Sequence, residues 1–117
     1  MIYSYSAFVK KNMAMGTSML LLKLLEQQDM YGYQIIRELE KRSNHIFSLK
    51  EGTLYPLLHS LEQQGAVICE IRLADNGRQR KYYIITEQGR KLLQDKLEEW
   101  NVFQSAVNQV IGGVLFG

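Results

Sequence analysis

The chain holds a single cysteine, a single proline and a single tryptophan in 117 residues, and its formal net charge is only +2. The lone Cys69 excludes a disulfide within the chain. It also forms no metal-ligand spacing with His45 or His59, so no metal is expected. No apolar run approaches the ~20 residues that a membrane span needs. The N-terminus lacks a basic stretch followed by an apolar core and a cleavage site. Those two absences point to a cytoplasmic chain with no membrane partner. The small net charge excludes a uniformly basic nucleic-acid coat and leaves room only for a local basic face. No nucleophile–base pair or phosphate-binding loop is visible, so neither an enzyme nor a cofactor is expected. Cys69 falls on the inward side of a predicted strand, where it should pack as a small hydrophobe. Nothing cationic obviously activates it for redox chemistry.

Residues 49–91 carry the strongest positive signals. Leu54, Leu57, Leu58 and Leu61 recur at i, i+3, i+4 and i+7, one face of a short helix. Gly65 follows the last turn and suits a left-handed C-terminal cap. Val67, Cys69, Ile71 and Leu73 then alternate with Ile68, Glu70 and Arg72, the period of a strand. Asn76-Gly77 signals a hairpin, and Tyr82 to Ile85 form a β-prone return strand. Thr86 is a good N-cap for the segment after it. Arg78, Arg80 and Lys81 cluster near the hairpin tip. A helix followed directly by a hairpin with a basic tip is the arrangement by which a winged helix-turn-helix grips DNA. The helix fits the major groove and the hairpin sets cations beside phosphates.

The flanking segments are helical in pattern. Residues 1–9 hold Tyr3, Tyr5 and Phe8 among small residues, and read either as a disordered lead or as an arm that docks on a partner subunit. Lys10 to Gln28 reads as a helix in which Met15, Met19, Leu22 and Leu25 form a stripe widened by Leu20, Leu21 and Leu24. So broad an apolar surface implies burial on several sides. Asp29 is placed to cap a second helix over Tyr33–Arg42, and Ser43–Leu49 is a connector. From Glu87 to about Val110 the pattern predicts a long helix that Gly112 and Gly113 end. Its residues Leu93, Leu97, Trp100, Phe103, Val107, Val110 and Val114 are spaced 4, 3, 3, 4, 3 and 4, close to a coiled-coil seam. A seam beyond a complete DNA-binding core points to a homodimer, with Met19 of the first helix adding to Leu93, Leu97, Trp100, Val107 and Val110. The expected fold is mostly α with a small β-hairpin: a lead over 1–9, a winged helix over 10–86 and a dimerisation helix over 87–117.

The phrases MYGYQII at 30–36, GTLYPLLHSLEQQGAV at 52–67 and GRQRKYYIITEQGRKLL at 77–93 resemble the PadR family of bacterial transcriptional regulators. The resemblance runs from about residue 14 to about residue 112. The short chain is similar to the small subfamily with one long C-terminal helix. The resemblance implies a homodimeric winged-helix repressor that binds an inverted-repeat operator in double-stranded DNA and releases it to a small molecule. It places Tyr55 and Pro56 at the DNA, with Thr53 and His59 on the same exposed face and the hairpin cations Arg78, Arg80 and Lys81 beside them. Tyr55 has a second reading, in which it packs under the helix. Lys50 stands where the family often has a capping side chain, so Ser48 caps the helix instead or Lys50 reaches a phosphate. Ser60 also departs from the family, which often has a basic residue there. Trp100 reads either as dimer core or as a flat wall for an aromatic effector, with Phe103 and Met15 lining the same cavity. The competing reading is a winged-helix protein-interaction module without its own DNA target.

Overall fold

The computed structural model describes the backbone of residues 5–116 and the side chains of residues 16–112. Helix α1 spans Tyr5–Gln27, strand β1 Met30–Tyr31, α2 Gly32–Arg42 and α3 Glu51–Gln63. Strands β2, Val67–Leu73, and β3, Gln79–Ile85, form the hairpin, and α4 runs over Glu87–Phe116. The sheet is antiparallel in the order β1-β3-β2. This is a winged helix with a long C-terminal helix, the mostly α class that the sequence pattern indicates.

The core is where the helical stripes meet the inner face of the hairpin. Leu21, Leu22, Leu24 and Leu25 of α1 pack with Ile35 and Leu39 of α2, Leu54, Leu58 and Leu61 of α3, and Val67, Tyr83 and Ile85 of the sheet. Alternation along the strands turns Val67, Tyr83 and Ile85 inward.

Local chemistry ends α3 and α2. Beyond α3, the N–H of Gly65 donates to the Glu62 carbonyl (3.0 Å) and that of Ala66 to the Leu61 carbonyl (2.9 Å), with Gly65 at φ +73°. These are the paired bonds of a Schellman stop. The same device closes α2, where Asn44 takes the left-handed position (φ 54°) and His45 N–H donates to the Glu40 carbonyl at 2.8 Å. In the hairpin, Ala74 N–H donates to the Arg78 carbonyl (2.7 Å), and among the turn residues only Gly77 has positive φ (80°). The connection is therefore a three-residue loop, Asp75 to Gly77. A two-residue Asn-Gly turn would need positive φ at Asn76 as well.

The structure departs from the sequence reading at several points. The first helix begins at Tyr5, so residues 5–9 are helical and only 1–4 of the expected lead lie outside the described residues. Asp29 does not cap α2. The N-cap is Tyr31, with no side-chain cap bond, and Asp29 instead pairs with Arg72 at 2.9 Å. Ser48 does not cap α3 either: its hydroxyl donates to Glu40 Oε1 (2.9 Å), and Lys50 is an N-cap residue without a side-chain bond. Gly112 and Gly113 do not end α4, which continues to Phe116. A helical glycine costs only about 1 kcal/mol relative to alanine, so without a competing stop signal the helix passes through. Leu93 is fully buried in the core of its own chain and is not a seam residue.

One junction ties α3, the hairpin and α4 together. Thr86 N–H donates to the Ala66 carbonyl (3.0 Å), and the Thr86 hydroxyl donates to the Gly65 carbonyl (2.6 Å). The same hydroxyl oxygen accepts Gly89 N–H (3.0 Å), the N-cap role read from the sequence. Gly89 lies so close to this joint that a Cβ there would sit 2.1 Å from the Ala66 carbonyl oxygen and 2.7 Å from Ile85 Cγ1. Gly89→Ala should therefore destabilise the fold by about 1–3 kcal/mol or more. Gly52→Ala, whose Cβ would meet nothing within 4 Å, should be neutral or mildly stabilising. Thermal unfolding of the two variants checks this. Equal melting temperatures would contradict it.

Candidate nucleic-acid interface

The amphipathic pattern of α3 that buries Leu54, Leu58 and Leu61 leaves Thr53, Tyr55, Pro56, His59 and Ser60 exposed together on the opposite face. Lys50 is exposed at its start. Pro56 has no N–H and so leaves the Gly52 carbonyl without its helical donor. The first turn holds nonetheless, because Thr53 and Leu54 N–H both donate to the Lys50 carbonyl (3.0 and 2.9 Å).

Tyr55 is partly open and partly packed. It is 43% exposed, yet its phenol tip rests on α2: a Cβ at Gly32 would lie 2.4 Å from the Tyr55 hydroxyl. Gly32 thus makes room for a side chain from the exposed face of α3. The sequence reading passed over it, although an isolated glycine opening a helical pattern was the available signal.

The hairpin separates the three cations that appear clustered in the sequence. Arg78 and Lys81 are exposed, whereas Arg80 is half-buried. Neighbouring residues on a strand point to opposite faces. Lys81 shares the face of Tyr83, with Nζ 5.8 Å from that ring centroid, and Arg80 shares the face of Tyr82. The Arg80 guanidinium lies 4.3 Å from the Tyr31 ring centroid. Opposite Arg80 in register, Arg72 pairs with Asp29 (2.9 Å) and Glu70 (2.7 Å) and lies 4.7 Å from the Tyr82 ring centroid. Asp29 and Arg72 form a contact that no local pattern signals.

Beneath the hairpin a phenol and a thiol are both shifted toward their neutral forms. Burial pushes the Tyr83 phenol up to about 12, with the neighbouring Cys69 adding to the effect. Burial and Glu62 also raise the Cys69 thiol, which donates to the Glu62 carboxylate at 3.4 Å. A thiol held protonated is a poor nucleophile, in keeping with a packing role.

Along α4 the apolar surface changes character after Leu97. Leu97 and Met19 are partly buried against the core. Trp100 (46% exposed), Phe103 (58%) and Val110 (73%) are open, with Val107 half-buried between them. The Trp100 and Phe103 rings are tilted neighbours with centroids 6.1 Å apart. The Met15 side chain, expected beside them, lies outside the described residues. A separate groove of about 530 Å³ follows α2, lined by Tyr31, Tyr33, Arg37, Glu38, Lys41 and His45; it includes neither Trp100 nor Phe103. Among the described residues no three His, Cys, Asp or Glu side chains converge as metal ligands. None of the described helices is long and apolar enough to cross a membrane.

The model of the transcriptional regulator PadR-like family matches residues 21–95. The chain is 32% identical over 95 residues to uncharacterized protein X of Lysinibacillus sphaericus, covering 81% of this chain and 87% of that one. It is 35% identical over 85 residues to the transcriptional regulator Rv3488 of Mycobacterium tuberculosis, covering 73% of each. Among solved structures it is similar to smu.1704 of Streptococcus mutans, with a TM-score of 0.77, 33% identity and coverage of 97% of this chain and 95% of that one. A PadR family transcription regulator from Clostridium difficile R20291 aligns with a TM-score of 0.69 at 32% identity, covering 80% of this chain and 96% of that one.

Proposed function

Because this chain belongs to the PadR-like family of transcriptional regulators, we propose that it is a cytoplasmic, sequence-specific DNA-binding repressor that acts as a homodimer and releases its operator to a small aromatic effector. The observation that carries the reading is the exposed face of α3, with Thr53, Tyr55, Pro56 and His59, together with the exposed cations Arg78 and Lys81 of the wing. The major groove is about 12 Å wide and admits such a helix. Thr53, Tyr55, Pro56 and His59 reach base edges and set sequence preference. Lys50, Arg78 and Lys81 meet phosphates, which fixes register without reading sequence.

A second copy is needed for an inverted repeat. The open surface of α4 from Trp100 to Ile111 supports it, since a continuous apolar patch on a monomer marks an interaction site. Val107 and Val110 belong to that seam, and Leu97 and Met19 border it. Trp100 and Phe103 form the aromatic wall on which a planar effector stacks, with a cationic one favoured by about 0.5–2 kcal/mol. Such a ligand must bind the released form better than the bound form, because equal affinity shifts nothing.

The competing reading, a module that docks on another protein, draws support from Ile71 (61% exposed) and Leu73 (73%) on the wing. Salt separates the two. Neutralising a side chain that meets a phosphate should reduce the slope of log affinity against log salt by about one. Arg78→Ala and Lys81→Ala are each expected to do so on promoter DNA, while Thr53→Ala should change preference among sequences. An unchanged slope in the double variant would remove the wing from the DNA interface. For the dimer, Val107→Asp places an unpaired charge in the seam and should weaken association by at least about a hundredfold. Light scattering that finds the unmodified chain monomeric at micromolar concentration would contradict the dimer. For the effector, a panel of aromatic dyes and phenolic acids should quench Trp100 emission and weaken DNA binding in parallel. Quenching without loss of DNA affinity would leave Trp100 as a dimer-core residue only.

A further inference from the structure

We propose that the outer face of the wing is a strut that sets the wing's position, and that Arg72 and Arg80 act in it as positioning residues rather than as phosphate contacts. The proposal rests on the DNA-binding reading above and specifies how the wing is aimed.

Arg72 of β2 and Arg80 of β3 are directly opposite in register. Like charges so placed repel. Each is met by its own partner. The Arg72 guanidinium lies over Tyr82 (4.7 Å) and reaches Asp29 (2.9 Å), while Glu70 takes a second contact at 2.7 Å. Arg80 lies over Tyr31 at 4.3 Å. Tyr31 and Tyr82 are themselves paired across β1 and β3, edge to face at 5.5 Å between centroids. All three strands are thus linked on one face, and Asp29 connects them to the joint between α1 and β1.

Charges on this face cancel. Asp29 and Glu70 supply two negative charges against Arg72 and Arg80, so the face has no net charge to offer a phosphate. The wing's other cations are Arg78 at the tip and Lys81 on the opposite face, where its Nζ lies 5.8 Å from the Tyr83 ring centroid. A two-residue β1 is too short to hold a hairpin by backbone bonds alone, which gives the side-chain contacts their importance. The Asp29 and Arg72 side chains are each more than a third exposed, so water screens the ion pair and the aromatic contacts share the task.

The test uses the full chain and reads two quantities. Amide hydrogen exchange of the free protein is followed over residues 70–82. Affinity for the intergenic DNA beside the protein's own gene is measured at several salt concentrations. In Asp29→Asn and Tyr31→Leu, wing exchange should rise about tenfold while α2 and α3 stay protected, with Asp29→Glu partly restoring protection. Arg80→Met should lower DNA affinity yet leave the salt slope unchanged, unlike Arg78→Ala. Unaltered wing exchange in both Asp29→Asn and Tyr31→Leu overturns the proposal. So does a slope lowered by about one in Arg80→Met with exchange unaltered. If the unmodified protein binds no DNA, the DNA-binding reading fails, and the exchange rates alone decide the strut.

Discussion

The Ala66 carbonyl is the point at which α3, the wing and α4 are fixed to one another. It accepts Thr86 N–H, it abuts the backbone of Gly89, and it comes directly after the Schellman stop that ends α3. Helix α3, the base of the wing and the first turn of α4 therefore share one short, buried joint. Because Gly89 has no side chain, α4 approaches this joint more closely than any other residue would permit. The same joint helps to set the directions of both α3 and α4, the latter also packed against α1. On the proposed reading, this couples the seam that joins two copies to the distance between their recognition helices. On the same reading, an effector lodged near Trp100 alters DNA binding by acting on that distance.

Charge acts locally here. A chain with 14 basic and 12 acidic residues has almost no long-range field to attract DNA. What it has is sorting by strand alternation: Lys81 goes to one face of the wing, Arg80 to the other, and Arg72 is taken up by Asp29 and Glu70. Carboxylates placed close to a DNA-binding surface would weaken phosphate contacts unless they were matched to cations of their own. The outer face of the wing meets that condition.

Much of this was legible in the sequence, and the reasons are physical. The buried Leu54, Leu58 and Leu61 stripe, the strand alternation after Gly65 and the Thr86 cap all rest on contacts between residues a few positions apart. Periodicity and capping chemistry report such contacts directly. Contacts between distant segments were not legible. The Asp29–Arg72 pair spans 43 positions, and β1 is too short to produce a period. Arg78, Arg80 and Lys81 looked like one cluster because sequence proximity hides the alternation that separates them. Leu93 continued the heptad spacing of α4 so well that the pattern could not show where the core ends and the free surface begins. That boundary falls after Leu97 and is visible only when α1 is packed in place. Gly32 and Gly89 stood within the phrases that resemble PadR regulators, but the need for a bare Cα at each comes from a neighbour far along the chain.

On the proposed reading, two copies of α3, held apart by α4, enter successive major-groove faces of one inverted repeat. Hydroxyl-radical footprinting on the intergenic DNA beside the protein's own gene tests it most directly. Two protected patches related by the repeat's symmetry are predicted, with centres separated by about 10 base pairs or a multiple of that. A single unpaired patch, or no protection under conditions where the protein is folded and dimeric, would contradict it.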